Sequence, residues 1–420
     1  MEFIENLIWN VFAIPILLIV SLFFTIYVKG AQFRFKHITK ALSKKDEKST
    51  LTPAGTLLIA LSARIGLGTL AGTGLAIALG GPGAIFWMWL SSLLTSAATF
   101  AENTLSQRFK QGTSNDYYGG PAFYIKYGLK SKKLALLYAT TLIITYTLGF
   151  TAVQMNTITT VFVQNTGGAP LLIALILTLL IGLTIIGSLA KVSQFIAKVI
   201  PFIAIFFFGL AAVALIINIT YVPTFFVEII TSAFSAQSLA GGGLGIALTT
   251  GIRRGIFSNE AGLGTGAHAA ALTHHGDPRE QGYIGVLGIY LTTLVSITLV
   301  AFMIMSTGAH HALGTVGNGI EFLQYALETL FGMATVVILP ITIFFFGFST
   351  VITAYLYGAM NIKFLSEKKI MVTALRVILL TVAFFASVGD PGAIWRLVDT
   401  GVGITAVINL VAIVLLRKYI

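Results

Sequence analysis

The sequence contains no cysteine and very little charge. Without cysteine there is no disulfide, no thiolate metal site and no cysteine nucleophile. Only 10% of the 420 residues are Asp, Glu, Lys or Arg, whereas soluble domains carry about 25%. Hydrophobic residues make up 56% of the chain, and the mean hydropathy is +0.91. A water-soluble fold of this size could not bury so much apolar surface, so the composition predicts an integral membrane protein.

Motifs of the common enzyme classes are missing as well. HExxH, GxSxG and a phosphate-binding P-loop do not occur, so we do not expect an enzyme. The formal net charge of +11 does not indicate nucleic-acid binding, because the basic residues lie in short gaps between apolar runs. Two adjacent histidine pairs, His274–His275 and His310–His311, have no carboxylate at ligand spacing in the sequence. We expect both pairs to lie in solvated loops.

Eleven apolar segments are long enough to be membrane-spanning helices. They cover residues 7–28, 54–79, 83–105, 134–163, 169–188, 192–219, 240–273, 281–306, 332–358, 370–388 and 391–416. The first follows Glu2 and Glu5 without a basic region, so we expect a retained span rather than a cleaved signal peptide.

Basic residues are distributed unevenly among the gaps between these segments. The gaps after the first and third segments hold seven and six lysines and arginines, whereas the gaps after the second and fourth hold none. Cytoplasmic loops carry the excess of Lys and Arg. The pattern predicts a multi-pass protein of the cell membrane with its N-terminus outside and its C-terminus in the cytoplasm.

Two of the segments are rich in glycine near their middle. Residues 62–74 read SARIGLGTLAGTG, and residues 251–266 read GIRRGIFSNEAGLGTG. At an offset of 190 residues, Arg64 pairs with Arg254, and an Ala and two Gly also coincide. The charge pattern makes the two segments run in opposite directions. Interrupted helices at corresponding positions of two inverted halves are typical of a transporter site at the bilayer midplane.

An interrupted helix offers two kinds of binding group. Free N–H groups at the start of a half-helix attract a carboxylate, while free carbonyls at a half-helix end attract a cation. A zwitterion accompanied by a cation fits both. The alternative is that the glycines only allow close helix packing, although packing does not explain Asn259 and Glu260 at the same depth.

Three sequence blocks resemble a known family. GGPGAIFWMW at 80–89, GGPAFYI at 119–125 and RGIFSNEAGLG at 254–264 are similar to the hallmark segments of the alanine or glycine:cation symporter family, the sodium:alanine symporters of the amino acid-polyamine-organocation superfamily. Weaker similarities follow in order along nearly the whole chain.

The resemblance implies an all-α, leucine-transporter-type fold with two inverted five-helix repeats plus one extra N-terminal helix. On this chain the extra helix lies at 1–30 and a cytoplasmic amphipathic segment at 31–53. The first repeat lies at 54–219, an external segment at 220–239 and the second repeat at 240–416. The implied function is sodium-coupled uptake of small neutral amino acids by alternating access, without a further cofactor or nucleic-acid partner, and we expect the monomer to function in the lipid bilayer.

The resemblance also implies a substrate site at the two glycine-rich segments. The first contributes backbone and hydroxyl groups to the substrate carboxylate, and the second contributes groups suited to the ammonium. Gln154 and Asn156 line the same cavity, although Gln154 could equally form an interhelical hydrogen bond. The implied substrate residues are Gly66, Gly68, Thr69, Gln154, Asn156, Phe257, Ser258 and Asn259.

The implied sodium site combines the Ile65 carbonyl with the hydroxyls of Ser349 and Thr350. The alternative for the two hydroxyls is hydrogen bonding to the preceding turn of their own helix. A proton-coupled carrier that uses Lys198 is the alternative to sodium coupling, because burial would make a lysine titratable. The family commonly has Asn at the position of Thr69 and Thr at that of Leu67, so another small zwitterion remains an alternative substrate.

An intramembrane enzyme and a channel are the two alternative classes to a carrier. An intramembrane enzyme would need a nucleophile and base or metal ligands, and a channel would more often build its filter from identical subunits. Counterflow in proteoliposomes separates the three, because only an alternating-access carrier exchanges labelled substrate against a gradient.

Overall fold

The computed structural model of the chain describes residues 7–43, 51–113, 116–235, 245–274, 276–312 and 319–420. Regular structure in these ranges is helical, with a single isolated β-bridge between Gln111 and Tyr118. The predicted segments 1–30, 31–53, 54–219, 220–239 and 240–416 each lie partly outside the described residues, and His275 lies outside them entirely.

The helices follow one another along the whole described chain. In order they are α1 Leu7–Tyr27, α2 Phe35–Ser43, α3 Pro53–Arg64, α4 Leu67–Gly80, α5 Gly83–Phe109, α6 Pro121–Gly128, α7 Lys132–Thr166, α8 Pro170–Ile185, α9 Leu189–Ile217, α10 Val222–Ala233, α11 Ile246–Asn259, α12 Thr265–Ala271, α13 Arg279–Ser306, α14 Ala309–Ala312, α15 Ile320–Phe331, α16 Thr335–Leu365, α17 Lys369–Ala386 and α18 Pro391–Leu415. Short 3-10 turns lie at Ala31–Phe33, Ile219–Tyr221, Gly332–Ala334 and Arg417–Tyr419.

Each of the eleven predicted segments coincides with helix, but not all of them are single long helices. Among the described residues, eight helices are long and apolar enough to cross a membrane, and the bent pair α3 and α4 makes a ninth. The segment at 169–188 forms the 16-residue α8, and the described part of the segment at 240–273 is divided between α11 and α12. The chain is therefore a multi-pass helical protein, and the count of eleven spans stays a prediction.

Several helices begin where the sequence supplies a cap. The Thr52 hydroxyl accepts a hydrogen bond from the Gly55 N–H at 3.1 Å, and Pro53 occupies the first helical position of α3. The Asp390 carboxylate accepts from the Gly392 N–H at 3.0 Å at the start of α18, again with proline first. Proline suits this position because its missing N–H would have no helical partner there.

The helices pack around α5. This helix contacts α1, α10, α11, α12 and α13, while α16 packs against α3, α7 and α9. By contrast, α8, α9 and α17 are peripheral and expose large apolar side chains such as Leu183, Phe202 and Ile205, each more than two-thirds exposed. Such a surface is stable in lipid and not in water.

Hydrogen bonds and ion pairs define the two ends of the bundle. At one end Tyr27 donates to the Arg417 carbonyl, Arg279 donates to the Ile420 carbonyl, and Lys363 pairs with Asp116. Because this end collects the lysine-rich and arginine-rich loops, we call it the basic end. At the opposite end Ser232 accepts from the Gly83 N–H, 149 residues away, and Trp9 donates to the Asp399 carbonyl.

Backbone packs directly on backbone where α15 begins against α4. A Cβ on Gly74 of α4 would overlap the carbonyl oxygen of Gly319, which precedes α15. A Cβ on Gly319 would in turn overlap the Ala71 carbonyl. The start of α15 therefore lies directly on α4.

Candidate binding site at the two helix breaks

The first glycine-rich segment breaks between α3 and α4, where the helix axis bends by 46°. Ile65 and Gly66 connect the two half-helices, and Gly66 is extended with φ −118° and ψ −155°. The Leu67 N–H points to the Gln154 side-chain oxygen at 3.4 Å. The Thr69 N–H already donates to the Gly66 carbonyl at 3.0 Å, whereas the Leu67 and Gly68 N–H groups precede the first helical bond of α4. The positive end of this half-helix therefore lies at the break.

The second segment breaks after Asn259, where α11 ends. The backbone takes positive φ at Glu260, Gly262 and Gly264, which turns the chain before α12. Asn259 is held on both sides, since its Oδ1 accepts from the Ala261 N–H at 3.0 Å and its Nδ2 donates to Thr293 at 3.1 Å. The last carbonyls of α11, at the negative end of its dipole, therefore face the interior of the bundle.

The two breaks touch each other. The Thr69 and Ser258 hydroxyl oxygens lie 2.7 Å apart, and Thr69 also donates to the Arg64 carbonyl at 2.8 Å. Because the Thr69 proton is used there, Ser258 donates to Thr69. A Cβ on Gly68 would lie 3.1 Å from the Phe257 ring and 3.2 Å from its carbonyl oxygen. The positive end of α4 thus meets the negative end of α11.

Aromatic side chains wall this junction. The ring of Phe257 stacks on Phe150 with centroids 4.9 Å apart and planes at 13°. The Trp395 and Phe257 ring centroids are 5.3 Å apart. The Tyr146 ring lies against Phe150 in a tilted arrangement, with centroids 4.5 Å apart and planes at 30°. A ligand between the breaks would therefore meet polar backbone at its two ends and apolar rings around its side chain.

A second group of oxygen atoms lies where α16 passes the end of α3. The Thr350 hydroxyl is 2.9 Å from the Ser62 carbonyl and 2.9 Å from the Phe346 carbonyl. Ser349 bonds to Phe346 within its own helix at 3.0 Å. A Cβ on Gly66 would overlap the Thr350 hydroxyl. Both hydroxyls thus bond the preceding turn of their own helix, which is the alternative given above, and Thr350 also bonds the Ser62 carbonyl beside the first break. A mostly apolar cavity of about 60 Å³, whose lining includes Ser62, Ile65 and Phe346, adjoins this contact.

Most of the predicted site residues come together at these two places. Gly66, Gly68, Thr69 and Gln154 are in contact with each other or with the second break, and Phe257, Ser258 and Asn259 form that break. Asn156 is placed elsewhere: its amide donates to the Ala386 and Gly389 carbonyls at 2.9 and 3.0 Å. The structure does not bring it to the breaks, because it lies half a helical turn from Gln154.

Lys198 is also placed away from the cation oxygens. Its side chain is exposed on the outside of α9, whereas the buried face of that helix presents Ile196, Ile200 and Ile203 toward the bundle. An exposed lysine next to lipid extends its ammonium toward the membrane surface. The structure therefore does not bring Lys198 to Ser349 and Thr350.

Sequence reasoning did not find the ion pairs that close the opposite end above the second break. Asp399 of α18 accepts from Arg253 at 2.8 Å and from Arg254 at 3.0 Å, and its side chain is 6% exposed. The guanidinium of Arg253 also lies 5.4 Å from the Trp9 ring of α1. Asp399 lies 146 residues after Arg253 and 145 after Arg254, a separation that no sequence spacing predicts.

Buried polar groups also continue from the second break toward the basic end. Glu260 accepts from Tyr146 and from Thr265, both at 2.6 Å, and Glu102 accepts from the Asn409 amide. Glu102 is fully buried beside α18. Charges within the membrane require such partners, because isolated they cost several kcal/mol.

Comparison with known proteins supports one family over the whole chain. A family model described as the sodium:alanine symporter family matches residues 1–420. The probable sodium/glutamine symporter GlnT of Bacillus subtilis is 35% identical over 99% of this chain and 87% of its own length. The amino-acid carrier protein AlsT of the same organism is 33% identical over 99% and 88%. The sodium/proton-dependent alanine carrier protein of Bacillus strain PS3 is 32% identical over 89% and 87%.

A solved structure shares the fold at much lower sequence identity. The crystal structure of MhsT in complex with L-phenylalanine aligns with a TM-score of 0.60 and 14% identity, over 89% of this chain and 100% of that one. At that identity the similarity concerns the fold alone.

Proposed function

The chain belongs to the sodium:alanine symporter family and is a membrane transporter rather than an enzyme, and on this premise we propose that it carries small neutral amino acids into the cell together with sodium. We propose in addition a leucine-transporter-type arrangement of eleven spans in the cell membrane, with the basic end in the cytoplasm. Two of the relatives are named as a probable sodium/glutamine symporter and a sodium/proton-dependent alanine carrier, and both of these amino acids are neutral zwitterions.

The observation that carries the proposal is the contact between two helix ends of opposite polarity. The N-terminus of α4, at Leu67, Gly68 and Thr69, suits a carboxylate, and the C-terminus of α11, at Phe257 and Ser258, suits an ammonium. An α-amino acid carries both charges two bonds apart. We assign its side chain to the wall of Phe150, Phe257 and Trp395, which favours an uncharged side chain.

Sodium is the proposed coupling ion because the second group consists of hard oxygens. We assign the ion to the Ile65 carbonyl, at the end of α3, and to the Ser349 and Thr350 hydroxyls of α16. The Thr350 hydroxyl lies 2.9 Å from the Ser62 carbonyl of α3, and the negative dipole end of α3 adds to the attraction for a cation. A proton-coupled carrier through Lys198 would require the lysine among these oxygens, and its exposed position on α9 argues against it.

The closed opposite end fits one state of an alternating-access cycle. Asp399 ties α18 to α11, and Trp9 ties α1 to the same residue. Release of these contacts would open a path from the proposed external side to the helix breaks.

The test is uptake into proteoliposomes that hold the purified protein. Labelled alanine should accumulate under an inward sodium gradient, and excess unlabelled alanine inside should drive counterflow. Equal uptake with sodium or choline outside, at a fixed proton gradient, would contradict sodium coupling. Competition by glycine, serine, glutamine and both alanine enantiomers then identifies the substrate.

A further inference from the structure

The structure places a carboxylate next to the His310–His311 pair, which the sequence led us to expect in a solvated loop. Glu228 belongs to α10 and the histidines to α14, 82 residues later. His310 Nε2 lies 2.9 Å and His311 Nε2 3.8 Å from Glu228 Oε1. The pair lies in helix α14 and the His310 side chain is only 5% exposed, so the expectation of a solvated loop was wrong for these residues.

Both imidazoles approach the carboxylate from the same side. Their ring centroids are 3.9 Å apart, and one candidate ligand atom from each of the three residues lies within 4.8 Å of the other two. In a tetrahedral zinc site, ligand bonds of about 2.0–2.1 Å place neighbouring ligand atoms about 3.3 Å apart. The observed separations of 2.9 and 3.8 Å lie on either side of that value.

The carboxylate is oriented by a further residue. The Tyr221 hydroxyl donates to Glu228 Oε2 at 2.5 Å, which leaves Oε1 directed at the histidines. Hydrogen bonds of this kind to a ligating carboxylate fix its orientation and strengthen metal binding. The fourth zinc position would remain open to water, since the His311 side chain is 77% exposed.

We propose that Glu228, His310 and His311 form a zinc site at the opposite end of the bundle, and that zinc bound there inhibits transport. The metal would fasten α10 to α14, and α14 packs on α15, which lies on α4 next to the first break. In the proposed orientation the site faces the outside of the cell. The inhibitory part depends on the proposed transport function, whereas the binding part does not.

Zinc binding is tested on the purified protein with zinc alone. Wild-type protein should bind one zinc ion per chain in competition with a chelating dye, and zinc should raise its melting temperature. The exposed ligand variant His311→Ala should weaken binding at least tenfold, and Tyr221→Phe should weaken it by about 10-fold through the loss of the orienting hydrogen bond. The matched control is His37→Ala, which removes an exposed histidine from the basic end.

Uptake measurements test the inhibitory part. Zinc should reduce sodium-driven alanine uptake by wild type and by His37→Ala, and His311→Ala should need at least tenfold more zinc for the same reduction. Magnesium should have no effect, because it prefers oxygen ligands. Equal zinc affinity in wild type and His311→Ala would overturn the site. Zinc binding without any change in uptake would overturn the inhibition while leaving the proposed function intact.

Discussion

Thr350 is the side chain through which α16 reaches the first helix break. Its hydroxyl lies 2.9 Å from the Ser62 carbonyl and faces Gly66. Thr350→Val keeps the shape but removes an oxygen that a hard cation requires. We expect the sodium concentration for half-maximal alanine uptake to rise about tenfold, or about 1.4 kcal/mol.

The control for this change lies on the same helix. Thr342 is buried and its hydroxyl bonds only the Ile338 carbonyl of the preceding turn, so Thr342→Val should leave the sodium dependence near wild type. An unchanged sodium dependence in Thr350→Val would remove this hydroxyl from the cation site.

Gly68 is the residue at which the two breaks come closest. A methyl group there would press on the Phe257 ring and carbonyl oxygen at 3.1 and 3.2 Å. Gly68→Ala should therefore weaken alanine binding at least tenfold, measured by the thermal stabilisation that alanine gives. Gly72→Ala, one turn further along α4, would meet nothing within 4 Å and should bind alanine as wild type does. Similar affinity in the two variants would contradict the assignment.

Residue types and local spacing predicted the positions of the helix breaks, but they did not predict which side chains contact them. Glycines mark the breaks because a chain leaves helical geometry most easily where no Cβ restricts it. Gln154 and Asn156 lie two positions apart in the sequence, and we predicted that both line the same cavity. On a helix, residues at that spacing point about 200° apart, and the structure directs only Gln154 to the break.

At the level of helices, the pair of breaks is held by a third element, α18. Its Asp399 neutralises both Arg253 and Arg254 of α11, and all three side chains are largely buried. Asp399→Asn would leave two cations without their carboxylate, a change that costs about 3–5 kcal/mol when buried. We expect a clearly lower melting temperature and greater access of solutes from the opposite end.

The matched comparison is the ion pair between Asp116 and Lys363 at the basic end. Its carboxylate is 50% exposed, and exposed pairs contribute about 0–1 kcal/mol. Asp116→Asn should therefore change the melting temperature little. A similar small effect of Asp399→Asn would mean that the two arginines find other partners.

The apolar pattern predicted where the helices lie along the chain, but it did not predict where each helix ends. The segment at 169–188 forms α8, which ends at Ile185, because Gly187 has a positive φ of +140° and Ser188 then caps α9. Hydropathy measures how apolar a segment is, and it does not register where a turn divides it. For the same reason the second glycine-rich segment was predictable as interrupted, while its division between α11 and α12 needed coordinates.

For the whole molecule, the charge pattern predicts which end faces the cytoplasm. The natural absence of cysteine makes this directly testable, since a single introduced cysteine has no background. Met333→Cys, at an 87% exposed position beyond α15, should react with a membrane-impermeant maleimide in intact cells. Lys368→Cys, exposed at the basic end before α17, should react only after the cells are permeabilised. The reverse labelling would invert the orientation.

The backbone contact between α4 and α15 limits how the family can vary. Any side chain at position 74 meets the Gly319 carbonyl, and any side chain at 319 meets the Ala71 carbonyl, so no smaller residue opposite can make room. Gly358 differs, because a Cβ there would meet the Thr147 side chain, which can be shortened. A genetic suppressor of Gly358→Ala could therefore arise at Thr147, whereas restoration of Gly74→Ala would require α15 to shift as a whole. Selection would therefore keep Gly74 and Gly319 as glycines independently of each other, while positions 147 and 358 are free to change together.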